Sequence, residues 1–221
     1  MKTCRPSVSH HAFRMFLCVV IALALFATTS ASAGEGRGRH KQLYVVPTPG
    51  EVTVDGDLGD WDLSGQIEIF VEEATRGTQN AKIAMMYDDE ALYFGGEVHD
   101  PNPMMNRHDP DANAARAWDA DAIQFRLTVD PDSNYPLKES AFTYRGKDAP
   151  EDTRDDIVHL LMWYYTDEGT ANLQMQLGMG FRMPDKDWKD GVVPNGKYEG
   201  KYKKWDDGLG YNFEYRVPWE T

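Results

Sequence analysis

Among the side chains of this sequence, Trp118 has the type and setting best suited to binding. It stands beside Arg116, Asp119 and Asp121 at the mouth of a strand-like segment, where burying the indole would drag charges inward at a cost. Left partly exposed, an indole is a flat apolar plate with a polar edge, and the C–H face of a pyranose ring can stack on it. The acids Asp100, Asp109, Asp111, Asp119 and Asp121 flank it. Calcium prefers several carboxylate and carbonyl oxygens, which makes Asp119 and Asp121 candidate metal ligands. The spacing is not that of an EF-hand loop, however, and a solvated loop is the preferred reading. Glycoside hydrolysis needs two acids at a defined separation across a cleft. No such pair is marked here, so we expect a binding protein and no catalysis. Trp61, beside a tight turn and ahead of Leu63, is expected to plug a core.

The chain that must carry these residues opens with an export signal. Lys2, Arg5 and Arg14 precede an apolar run from Met15 to Ala27, and Ala31-Ser32-Ala33 closes it with small residues. This is the pattern of a signal peptide over residues 1–33, with cleavage expected after Ala33 and a secreted or periplasmic product. The run ends at Thr28-Thr29-Ser30, short of the roughly 20 apolar residues of a spanning helix, so no membrane insertion is expected. Both cysteines, Cys4 and Cys18, fall in this leader, which leaves no disulfide, thiolate metal site or cysteine nucleophile afterwards. Removing three basic residues and no acid takes the net charge from −13 to −16. Such a field repels nucleic acid and anionic lipid but not a neutral sugar polymer.

Residues 34–41 (GEGRGRHK) are glycine-rich and basic, as in a flexible lead-in, and residues 42–221 suffice for one domain with its own core. Short segments rich in β-branched and aromatic residues recur between Gly, Pro, Asp and Asn. They run Leu43 to Val46, Glu51 to Val54, Ile67 to Glu72, Lys82 to Tyr87, Ala91 to Val98, Ala122 to Val129, His159 to Tyr165, Asn172 to Met179, Lys197 to Trp205 and Tyr211 to Val217. Many short strands with turn signals between them predict an all-β antiparallel sandwich or barrel. Asp88-Asp89-Glu90 and Asp206-Asp207-Gly208 have the length and residue types of hairpin turns. Alternation in the last segment puts Tyr211, Phe213 and Tyr215 on one face and Asn212, Glu214 and Arg216 on the other. Asp130 to Asp156 and Asp185 to Gly196 read as long surface loops, where binding residues tend to sit, and Ala112 to Ala117 as one turn of helix.

Four segments, in order, resemble the family 9 carbohydrate-binding modules and the wider DOMON-like sandwiches. Val54-Asp55-Gly56-Asp57-Leu58-Gly59-Asp60-Trp61 is similar to the family's opening turn, and Ala84 to Phe94 with Val98-His99-Asp100-Pro101 to its hairpin. Trp118-Asp119-Ala120-Asp121-Ala122-Ile123-Gln124-Phe125 resembles "WxxDsvEif", and Gly210 to Trp219 resembles "gYxxEaaIpW". The resemblance implies an immunoglobulin-like or jelly-roll-type β-sandwich that binds poly- or oligosaccharide, with Trp118 stacking on a terminal sugar. It also implies a hydroxyl-binding acid, in whose place this sequence has Gln124; an amide donates and accepts, without charge-assisted strength. The family's polar Arg and Asn on the next strand have no counterpart in His159 to Tyr165. In the family further strands follow "IpW", so the C-terminal strands are expected to be missing from this chain. DOMON-like domains also include b-type haem proteins with axial ligands on strands. For that alternative, His99, His108, His159, Met85, Met86, Met104, Met105, Met162, Met175 and Met179 are the candidate ligands.

Overall fold

The computed structural model describes residues 43–127, 158–177 and 186–221, which lie in one compact unit, His40–Thr221. The expected leader, the lead-in and the whole of the Asp130 to Asp156 loop fall outside the described residues. Among the described residues nine strands form: β1 Val45–Pro47, β2 Ile67–Ile69, β3 Asn80–Tyr87, β4 Ala91–His99, β5 Ile123–Leu127, β6 Val158–Tyr165, β7 Thr170–Leu177, β8 Glu199–Lys204 and β9 Gly210–Pro218. The larger sheet has the order β1-β3-β4-β9-β8, with β2 also paired to β3, and the smaller has the order β5-β6-β7.

Period-two alternation decides which side chains meet between the sheets. From the larger sheet come Ile83, Met85, Phe94, Tyr202, Tyr211, Phe213, Tyr215 and Val217; from the smaller come Leu160, Met162, Leu173 and Met175, all in one cluster. The expected split of β9 holds, since Tyr211, Phe213 and Tyr215 enter this core while Glu214 belongs to the opposite face. The fold is the all-β sandwich expected from the sequence.

Both hairpins form as read. In the first, Tyr87 pairs with Leu92, and Asp88 Oδ1 accepts the backbone N–H groups of Glu90 and Ala91, each at 2.8 Å. In the second, Lys204 pairs with Tyr211, and Gly208 takes φ 73°, a left-handed conformation that glycine adopts freely. Two expectations are corrected. β1 pairs in parallel with β3, Val45 opposite Met85, so the larger sheet is not wholly antiparallel. Glu51 to Val54 is not a strand: Asp60 Oδ2 takes the Thr53 N–H at 2.8 Å, and aspartate side chains turn the chain where a ladder would have continued it.

That turning segment caps the outer face of the larger sheet. Trp61 lies buried there with Leu58, Ala84, Met86, Ala91 and Tyr93, as its sequence setting predicts. Glu214, fully buried on β9, receives the Trp61 indole N–H at 2.7 Å on one oxygen and the Asp55 and Gly56 backbone N–H groups on the other. Burial pushes its carboxyl above the usual range, opposed by the Gly56 and Trp61 hydrogen bonds.

Candidate functional site

Trp118 sits in a 3-10 segment, Ala114–Asp119, on the outer face of the smaller sheet. The segment holds on through its small residues: Ala114 and Ala117, fully buried, pack on Leu161, Trp163 and Tyr165. Trp118 points elsewhere and is 58% exposed. The turn that carries it is braced from behind by Asn106, a fully buried amide. Asn106 Nδ2 donates to the carbonyls of Ala117 at 2.9 Å and Asp121 at 3.0 Å, and its Oδ1 accepts the His108 N–H at 3.0 Å. Thr166, just after β6, receives the Asn106 backbone N–H, and its hydroxyl, with one proton to donate, lies 2.7 Å from the Met104 carbonyl and 2.9 Å from that of Asn106. The Trp163 indole N–H, from β6 itself, reaches the His108 carbonyl at 2.9 Å. Every arm of the buried amide is satisfied, which is what allows it to be buried and rigid at once.

Gln124 lies further down the same outer face. In the β5–β6–β7 ladder Gln124 stands opposite Leu161 and Leu161 opposite Gln174, while Arg126 stands opposite His159 and His159 opposite Gln176. Gln124 is exposed, and its Oε1 lies 3.1 Å from His159 Nε2. His159 is buried, and burial together with the Arg126 charge pushes its pKa down to about 4, so the ring is neutral near pH 7. With Oε1 as the acceptor, the ring proton sits on Nε2. The N–H groups of the Gln124 amide therefore remain for a ligand.

The acids around Trp118 brace the loop. Arg116 and His108 both bind Asp119, His108 Nε2 at 2.6 Å, and Arg116 holds that carboxyl below its usual range, with His108 assisting. Asp121 Oδ2 accepts the Met105 N–H at 2.7 Å; burial, and the Asp100 charge, push its carboxyl up. Asp109 Oδ1 receives the Asp111 N–H at 2.8 Å. Among the described residues no three histidine, aspartate or glutamate side chains come together to hold a metal ion. Of the haem candidates, His99 packs edge-on against Trp205 with ring centres 4.5 Å apart, His108 is bound to Asp119 and His159 to Gln124. Met85, Met104, Met162 and Met175 fill the core and Met86 the Trp61 cluster, Met105 is exposed, and Met179 lies outside the described residues.

The structure thus brings Trp118 and Gln124 to one face of one sheet. Asn106 and His159 are the supports that the sequence did not mark for these roles. Asn106 is separated from its acceptors by 11 and 15 residues, and the His159 contact to Gln124 spans 35, so only the folded chain reveals either.

No protein-family model matches the chain, and no curated protein matches it. Two solved structures of a family 9 carbohydrate-binding module from Caldicellulosiruptor kristjanssonii, one in complex with glucose and one with cellotriose, are similar to it. Each is 20% identical with a TM-score of 0.40, covers 80% of this chain, and is itself covered over 69% and 68% of its length respectively.

Proposed function

We propose that this is an exported, non-catalytic carbohydrate-binding module that stacks a sugar ring on Trp118. The observation that carries the reading is an indole 58% exposed on a turn whose backbone is tied to the sheet behind it by a buried, fully bonded asparagine. An apolar ring of that size gains by leaving water, and a platform already rigid loses little entropy when a ligand covers it. Gln124 lies down the same face with amide N–H donors for hydroxyl oxygens. The order of the four sequence segments that resemble family 9 modules agrees with this assignment. Neutral poly- or oligosaccharides are the partners that suit the chain's charge.

The test is retention of the full chain on hydroxyethyl cellulose, arabinoxylan and glucomannan by affinity electrophoresis. Trp118→Ala is expected to weaken binding by at least about tenfold, a loss of ~1.4 kcal/mol or more. Its melting temperature should stay within about a degree of wild type, because an exposed side chain is removed. Undiminished retention of Trp118→Ala would overturn the assignment.

A further inference from the structure

The second long loop holds a turn in a conformation that its own residue does not favour. Asp190 has φ 52° and ψ 19°, within the 3-10 segment Lys189–Gly191, and Gly191 follows at φ 76°. Glycine takes such left-handed backbone without strain, whereas aspartate tolerates it at a cost. Gly191 has no alternative, since a Cβ there would meet the Met175 carbonyl at 2.7 Å. At position 190 a glycine would relieve the backbone, yet the chain carries an acid.

The sheet below grips this turn from two sides. Gln174 and Gln176 both donate their side-chain amides to the Asp190 carbonyl, at 2.7 and 3.2 Å. The carboxylate itself is on an exposed residue and makes no hydrogen bond or ion pair among the described residues. The isolated antiparallel bridge between Val192 and Gln174 sets the turn along the free edge of β7, three strand spacings from Gln124 and so roughly 14 Å across the face. The Trp118 turn lies close by: Lys189 Nζ donates to the Asp111 carbonyl, and Val192 packs in the cluster that contains Ala114 and Ala117.

We infer that Asp190 is the acidic contact of the sugar site, its carboxylate accepting hydrogen bonds from ligand hydroxyls across the sheet face from Gln124. This rests on the reading of Trp118 as the platform. A carboxylate forms the charge-assisted bonds that an amide cannot, and strain retained at one residue marks a position kept for something other than stability.

Two substitutions separate ligand contact from structure, in the same gels of hydroxyethyl cellulose, arabinoxylan and glucomannan. Asp190→Asn keeps the shape and the tolerance of left-handed backbone but removes the charge; Asp190→Gly also removes the strain. Both are expected to bind about tenfold more weakly, the loss of one charge-assisted contact, with Asp190→Asn melting as wild type and Asp190→Gly melting higher. Wild-type affinity in either variant, in a series where Trp118→Ala is weakened, would overturn the inference alone. So would an Asp190→Gly protein that melts below wild type, since the side chain would then be needed for the turn. Equal binding by Trp118→Ala and wild type, or no retardation of wild type in any of the three gels, would overturn the platform reading and this inference together.

Discussion

A neutral imidazole buried beside an arginine is a pH-sensitive part of the outer face of the smaller sheet. The pKa of His159 is about 4 in the folded chain against an ordinary value of 6.5. As pH falls below 6.5 the unfolded chain takes up a proton that the folded chain refuses until about pH 4. The stability linked to His159 is therefore complete above pH 6.5 and is lost progressively between there and pH 4. His159→Gln, which keeps a donor for Gln124 and cannot titrate, is expected to flatten that part of the curve. Melting temperatures at intervals from pH 7 to pH 4 check it: wild type should lose a few degrees more than the variant across the window. The exposure of Trp118 was legible in the sequence because charged neighbours made its burial costly. Asn106 was not, because an asparagine flanked by methionine and arginine carries no sign that its backbone will be buried by strands that follow it.

Among the elements, the cap over the larger sheet depends on three positions far apart in sequence. The Trp61 ring lies over Gly95 on β4, where a Cβ would come within 2.6 Å of it, and its N–H ends on Glu214 of β9. Trp61→Ala would leave a cavity above Gly95 and remove a donor from a buried carboxylate. Urea unfolding is expected to show a loss of about 3–5 kcal/mol, in the range for deleting a buried aromatic. The paired strands were readable from alternation, and both hairpins from their turn residues. The Glu51 to Val54 segment misled because valines alternate with polar residues in a cap as they do in a strand. Only the side chain of Asp60, reaching back to Thr53, decides between the two.

On the scale of the whole molecule, charge sets what can approach. The sequence carries a net charge of −13, so a neutral glycan should bind with an affinity that is almost flat between ~50 and ~200 mM salt. Affinity electrophoresis at both ionic strengths checks this; a steep loss of binding with added salt would point to ionic recognition instead. The sandwich was legible because composition and strand spacing constrain it strongly. Which outer face would carry Trp118 and Gln124 was not, because the pairing of β5 with β6 joins segments separated by 30 residues of sequence.

The struts behind Trp118 run to Thr166 and, through the His108 carbonyl, to Trp163, with buried Ala114 packed beside them. The side chains of Arg107, Asp111, Ala112, Asn113 and Ala115, all exposed, take no part in those struts, so substitution there leaves the indole's support in place. The surface around the indole and the brace beneath it can therefore vary separately.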